Sequence, residues 1–298
     1  MSPPHTPTPA RAAEPGGVPS RDVRRRNLIL RVASAAVLAP LALGSAYLGG
    51  WLFCAVCAAT AAGILWEWMR LVESKTEPGL LLPGLCGLAF AWLLTGLGRP
   101  AWAVAAIAAA ALAVAMAKRA PAPRSGTTWW AAGGVLYAGA AYLGPALLRR
   151  DPALGLTALL FLAATVWATD IFAFAVGRAI GGPLLWPRIS PNKTWAGAAG
   201  GLAGGLAAGS LVAYASGIER AAVIGIIALV LSVLTQAGDL FESAIKRRFG
   251  AKDTSHLIPG HGGLMDRLDG FLVAALAALL IGVARHGIDA PAQGLLLW

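Results

Sequence analysis

The sequence predicts an all-α fold, a polytopic integral membrane bundle of about nine transmembrane helices. Two observations carry this reading: apolar residues make up 57% of the chain and charged residues 13%, and the charge deficit collects in stretches long enough to cross a bilayer. A water-soluble domain has roughly a quarter charged residues. A bilayer core needs about 20 mostly apolar residues per helix. Together with a mean hydropathy of +0.68, this sets a soluble globular fold aside.

Residues 1–26 are rich in Pro, Ser, Thr and Arg and nearly free of large apolar side chains. Such a segment cannot bury enough surface to order itself, so a disordered cytoplasmic tail is expected there, ending in Arg24-Arg25-Arg26. The apolar run that follows is long enough to span, which favours a retained first helix over a cleaved signal peptide. Spans are then expected at 28–48, 51–70, 79–97, 101–117 and 128–148, an N-terminal membrane region over 27–150. Four more follow at 153–177, 195–216, 221–246 and 266–285, within a C-terminal region of 151–298 that holds most of the unusual polar residues. Small residues, densest at Gly133-Gly134 and from Gly200-Gly201 to Gly204-Gly205, let helices approach closely in lipid.

The net charge of +10 would suggest nucleic acid in a soluble protein. Here the cations lie between spans, where lipid head groups and the positive-inside rule account for them, so the bilayer and not nucleic acid is the expected partner. With the N-terminus inside, seventeen Lys and Arg residues fall in cytoplasmic segments against five outside them, Arg99, Arg149, Arg150, Arg220 and Arg285. The Arg149-Arg150 pair runs against this orientation. Cys54, Cys57 and Cys86 all lie in apolar spans with no companion Cys or His pair, which reads as small buried hydrophobes.

The same orientation places two long polar connections, 178–194 and 247–265, on one side, and connections carry binding chemistry more often than spans do. Six of the fourteen acidic residues lie near them: Asp170, Asp239, Glu242, Asp253, Asp266 and Asp269. A carboxylate in or beside a span costs several kcal/mol unless paired or metal-bound. Asp239, Glu242, Ser243 and Lys246 stand at i, i+3, i+4 and i+7 and so share one helical face. Asp266 and Asp269 are three apart at the start of the last span. Two such helix ends suit a divalent cation with hard oxygen ligands, Mg2+ rather than zinc, because His256 and His261 are too few for zinc. Between them run Lys246-Arg247-Arg248, Lys252 and the turn Pro259-Gly260-His261-Gly262-Gly263. The cations can neutralise phosphate charge, and glycines let backbone N–H groups approach phosphate oxygens. The other connection, Ser190-Pro191-Asn192-Lys193-Thr194, combines a rigid turn with small polar side chains before a helix, where capping and anion binding are compatible. The residues therefore point to a cytoplasm-facing, metal-dependent polyphosphate site.

The 27 residues from Ser243 to Asp269 resemble the sequence signature of the phosphatidate cytidylyltransferases, also called CDP-diacylglycerol synthases. Gln236 to Glu242, Asp170 to Arg178 and Ser190 to Gly197 are similar to further segments of that family. The likeness covers roughly 165–285, and one position departs: Ala196 stands where the family usually has glutamate. The resemblance implies cytidylyl transfer from CTP to phosphatidic acid, giving CDP-diacylglycerol and pyrophosphate. It implies Asp239 and Asp266 as metal-binding catalytic residues, with Mg2+ as cofactor and a monovalent cation such as K+ as a further occupant. Lys246 and Lys252 join them in catalysis. Substrate would be held by Asp170, Ser190, Asn192, Lys193, Thr194, Ser243, Arg247, His261, Gly262, Gly263 and Arg267. A homodimer is the candidate assembly, and the heavy use of Ala, Gly and Arg suggests a bacterial plasma membrane.

Two rival classes fit less well. A secondary transporter would show related halves with paired broken spans, and the polar residues here crowd into one half. A CDP-alcohol phosphotransferase needs further aspartates after Asp-Gly, whereas Asp269-Gly270 is followed by Phe271 and Leu272. An inactive scaffold is opposed by the intact 243–269 stretch, with Ala196 the one feature in its favour.

Overall fold

The computed structural model describes residues 21–73, 78–117, 127–255, 257–258 and 262–298. Its helices are α1 (Arg21–Leu48), α2 (Gly50–Glu73), α3 (Pro78–Gly96), α4 (Pro100–Met116), α5 (Thr127–Arg149), α6 (Gly155–Ile180), α7 (Trp195–Ala215), α8 (Ala221–Arg248), α9 (Met265–His286) and the short α10 (Pro291–Leu296). Each expected span coincides with one of α1 to α9. Among the described residues seven helices are long and apolar enough to cross a membrane, and Val32–Leu48 and Pro100–Met116 are shorter apolar helices. Backbone N–H and C=O groups in hydrocarbon must be satisfied within the segment, which leaves these sequences little alternative to helix. Trp102, Leu112, Ile171, Phe174 and Leu211 are exposed on the outer surface of the bundle, which lipid would cover.

Two expectations are corrected, and one feature is added. Helix α1 begins at Arg21, so residues 21–26 are helical rather than part of a disordered tail; arginine is a good helix former and lets the helix of the apolar run continue backwards. The remainder of that tail lies outside the described residues. The connection 178–194 contains a hairpin that the sequence did not reveal: β1 (Leu184–Trp186) and β2 (Ser190–Thr194) pair antiparallel, with Leu184 opposite Thr194 and Trp186 opposite Ser190. Cys54 and Cys57 are buried, but Cys86 is exposed.

The contrary Arg149 is accounted for. Its Nε donates to the Ala46 carbonyl at 2.6 Å and its Nη2 to the Tyr47 carbonyl at 2.9 Å. It thus caps the C-terminus of α1, where carbonyls lack helical donors and the dipole favours a cation.

The packing that matters for function joins α6, α7 and α8. A Cβ on Gly197 would lie 2.7 Å from the Ala173 carbonyl, and one on Gly201 would lie 2.9 Å from that of Thr169. Only glycine allows α7 to lie this close to α6. Buried hydroxyls then close across the helices: Thr169 Oγ1 and Ser232 Oγ are 2.7 Å apart, and Ser232 also bonds the Gly201 carbonyl at 3.3 Å. The C-terminal ends of α6 and α8 and the N-terminal end of α7 come together at one end of the bundle, where the hairpin packs on α7 and reaches α8, and the C-terminal end of α2 meets the start of α9.

Candidate active site

Half of the site grows from the hairpin. Thr194 is extended (φ −113°, ψ 157°) and its Oγ1 accepts the Gly197 N–H at 3.1 Å, so it caps α7 as its position predicts. That cap fixes the preceding Lys193, whose Nζ donates to Asp239 Oδ2 on α8 at 2.8 Å. Gln236, one turn before Asp239, donates to the Ala198 carbonyl at 3.3 Å and pins α8 against α7. A cavity of about 610 Å³ opens here, lined by Asp170, Arg178, Ser190, Asn192, Lys193, Thr194, Gln236 and Asp239.

The other half lies where α8 meets α9. Lys246 Nζ is 2.8 Å from Glu242 Oε2 and 2.8 Å from Asp266 Oδ1. Asp266 Oδ2 accepts the Thr254 N–H at 3.1 Å, the Thr254 hydroxyl at 2.9 Å and the Gly263 N–H at 3.1 Å. Asp266 thereby ties down both ends of the loop before α9. The two helices meet through glycines: a Cβ on Gly270 would fall 2.7 Å from Asp239 Oδ1, and one on Gly238 would fall 2.8 Å from the Asp269 carbonyl. Asp239 and Glu242, one turn apart on α8, are the charged neighbours of Asp269. The two halves are therefore one continuous cluster.

Sequence reasoning missed Glu67 on α2. It is fully buried, and its carboxylate accepts the Leu264 N–H at 2.8 Å, the Met265 N–H at 2.7 Å and the Ser255 hydroxyl at 2.5 Å. A glutamate from the N-terminal region thus caps α9 from 198 positions away in the chain. The signal was present: an isolated carboxylate in an apolar span, between Trp66 and Trp68, is the same anomaly that marks Asp170 and Asp239.

The expected residues divide by their surroundings. Asp170, Ser190, Asn192, Lys193, Thr194 and Asp239 share the cavity. Lys246 and Asp266 share the adjoining ion pair, and Ser243 is half-buried on the same helix. Arg247, Lys252 and Arg267 are exposed on the surface around it. His261 lies outside the described residues. The Gly262 N–H donates to the Ile258 carbonyl at 3.1 Å, with φ +90°, and the Gly263 N–H is taken by Asp266. These two amides build the loop rather than stand open to a phosphate.

Four carboxyl groups (Asp239, Glu242, Asp266, Asp269) face two ammonium groups (Lys193, Lys246), and the buried Glu242 Oε1 has no hydrogen-bond partner. An excess of hard anionic oxygen in a low-dielectric setting fits a divalent cation. Among the described residues no three His, Cys, Asp or Glu side chains form a cage of their own. Mg2+ needs none, because it is commonly held by one or two carboxylates plus water and substrate phosphates.

Fold and site together define a class: a polytopic helical membrane protein with a polar, cation-bearing cavity at one end of its bundle, suited to an ionised phosphate substrate. The model of the cytidylyltransferase family matches residues 29–283, and the chain belongs to that family. It is similar to a phosphatidate cytidylyltransferase of Brucella suis biovar 1, 39% identical over 265 residues that cover 89% of this chain and 97% of the relative. A protein of the same name from Brucella abortus biovar 1 is 40% identical over 256 residues, 86% of this chain and 93% of that one. Another, from Bacillus subtilis, is 40% identical over 126 residues, 42% of this chain and 47% of that one.

Proposed function

We infer that the chain transfers a cytidylyl group from CTP to phosphatidic acid, forming CDP-diacylglycerol and releasing pyrophosphate. The observation that carries this reading is the Lys193–Asp239 pair at 2.8 Å, in a cavity that adjoins the Lys246–Asp266 pair. Two lysines beside a carboxylate cluster, at the boundary of a membrane bundle, suit an anionic nucleotide meeting an anionic lipid. The attacking phosphate of the lipid is ionised near neutral pH, so no strong general base is required. Lys193 and Lys246 hold phosphate oxygens, and Ser190, Asn192 and Thr194 supply hydrogen bonds along the cavity wall. Asp239 and Asp266 would hold Mg2+, with the carboxylates of Glu242 and Asp269 close by. When bound, it would neutralise charge on the transferring phosphoryl group. The cluster faces the cytoplasm of a bacterial plasma membrane, a side supported by the seventeen-to-five division of cations.

The test is transfer of label from α-labelled CTP into the lipid phase by purified protein with phosphatidic acid and Mg2+. Labelled lipid made by the wild type and lost in Asp239→Ala and Lys193→Ala is the expected result. Folded wild-type protein that makes no labelled lipid would overturn the assignment. Sidedness is read with a cysteine at position 247: an impermeant thiol reagent should label it in inside-out vesicles and not in intact cells.

A further inference from the structure

The end of the bundle away from the active site holds a second polar cavity. Its volume is about 450 Å³, and Trp51, Phe53, Cys54, Thr95, Arg149 and Arg150 are among the residues lining it. Helix α2 runs from this cavity at Gly50 to Glu67 in the active site, about 25 Å at 1.5 Å per residue. The two cavities are therefore separate sites.

The polar groups of this cavity are incompletely satisfied. Arg149 is committed to the carbonyls of Ala46 and Tyr47. Arg150 Nη1 is buried and has no hydrogen-bond partner; Thr95 Oγ1 is also buried, with the Tyr142 hydroxyl as its neighbour and no well-formed hydrogen bond of its own. The lining contains no Asp or Glu. The nearest acid in sequence, Asp151, is engaged by the Ala153 and Leu154 N–H groups at 2.9 and 2.7 Å and by Gln293 Nε2 at 2.7 Å. A guanidinium N–H without an acceptor, on a residue that lines the same cavity as Thr95, is costly unless an anion with several acceptor oxygens completes it. The rim is apolar and faces outward, with Leu48 68% and Trp51 44% exposed. That combination suits a ligand with a charged head and an apolar body.

We propose that this cavity is a binding site for a phosphate group, that of an anionic phospholipid head group in the leaflet opposite the active site. Arg150 Nη1 and Thr95 Oγ1 donate to the phosphate oxygens, and Trp51 and Leu48 flank the lipid body. The site is distinct from the catalytic cluster, and its occupancy does not depend on the transfer reaction.

The experiment compares wild type with Arg150→Gln in detergent, titrated with short-chain phosphatidylglycerol, phosphatidylcholine of the same chains, or inorganic phosphate, and read by thermal unfolding and native mass spectrometry. Phosphatidylglycerol should bind the wild type and bind Arg150→Gln about tenfold more weakly, the loss expected for one charge-assisted hydrogen bond. Phosphatidylcholine should bind both weakly, and the cytidylyl-transfer rate of Arg150→Gln should match that of the wild type. Equal phosphatidylglycerol binding by the two proteins would overturn the site. Protection by inorganic phosphate equal to that by phosphatidylglycerol would overturn the lipid as its source. If Arg150→Gln does not fold, Thr95→Val removes only the hydroxyl and reads the same contrast.

Discussion

Replacing Glu67 tests whether the N-terminal helices hold the loop before α9 in place. In Glu67→Ala the Leu264 and Met265 N–H groups and the Ser255 hydroxyl lose their acceptor together. A buried donor left unpaired costs about 1–3 kcal/mol. Met265 is fully buried and forfeits most of that, whereas Leu264 and Ser255 are half-buried and water can partly replace the carboxylate. Loss of a carboxylate from a helix N-terminus adds about 0.3–1 kcal/mol. The expected destabilisation is about 2–4 kcal/mol for Glu67→Ala and about half that for Glu67→Gln, which keeps one acceptor oxygen. The loop before α9 should loosen before the bundle melts, because its remaining anchor is Asp266. Trypsin should then cut at Arg248 or Lys252 several-fold faster in the variant while the bundle is still folded. Thermal unfolding in detergent and limited proteolysis measure the two effects. If Glu67→Ala melts with the wild type and is cleaved at the same rate, the capping argument is wrong.

Three further outcomes follow from the same geometry. Lys193→Met leaves Asp239 without its partner and should lower kcat by about 10²–10³ with little change in melting temperature, measured by initial rates at saturating CTP; a loss below tenfold would remove the pair from the chemistry. Thr194→Val removes the α7 cap and should cost about 1 kcal/mol, or about 2–4 °C in melting temperature. Asp151 lies outside the spans; burial alone would raise its pKa, but hydrogen bonds from the Leu154 N–H, Gln293 and the Ala153 N–H outweigh this and hold it below the ordinary carboxylate range. Its stabilising contribution is therefore present above the unfolded pKa of about 3.9 and is lost as pH falls through the lower folded value, so Asp151→Asn should flatten the acid limb of a stability profile.

The spans were legible because the bilayer leaves an apolar stretch little choice but helix, and the face of α8 was legible because Asp239, Glu242 and Lys246 repeat at helical spacing. Which face meets which was not. Periodicity sorts residues around one helix and says nothing of the partner helix, so neither the Lys193–Asp239 pair nor the reach of Glu67 to α9 could be read from spacing. The hairpin over 184–194 was missed for a related reason. Its strands are three and five residues long, β2 contains Pro191, and a run this short carries too little alternation to be recognised.

The glycine turn shows how local hydrogen bonding can redirect a sound chemical argument. Gly262 and Gly263 have the freedom to approach a phosphate, but their N–H groups are taken by the Ile258 carbonyl and by Asp266. The same competition separates the two aspartates that looked equivalent in the sequence. Asp266 already accepts from four donors: Lys246, the Thr254 N–H, the Thr254 hydroxyl and the Gly263 N–H. Asp239 accepts from one, Lys193, and lines the open cavity. A carboxylate with spare lone pairs facing solvent can ligate a cation at little cost, whereas one saturated by a loop must first release that loop. If the cation binds as proposed, Asp239 would be its primary donor, and Asp266 would couple it to the loop contacts at Thr254 and Gly263. Asp266→Asn should therefore loosen that loop to trypsin even without Mg2+. Asp239→Asn should leave the loop intact and abolish the Mg2+-dependent rise in melting temperature; a retained rise would place the cation elsewhere.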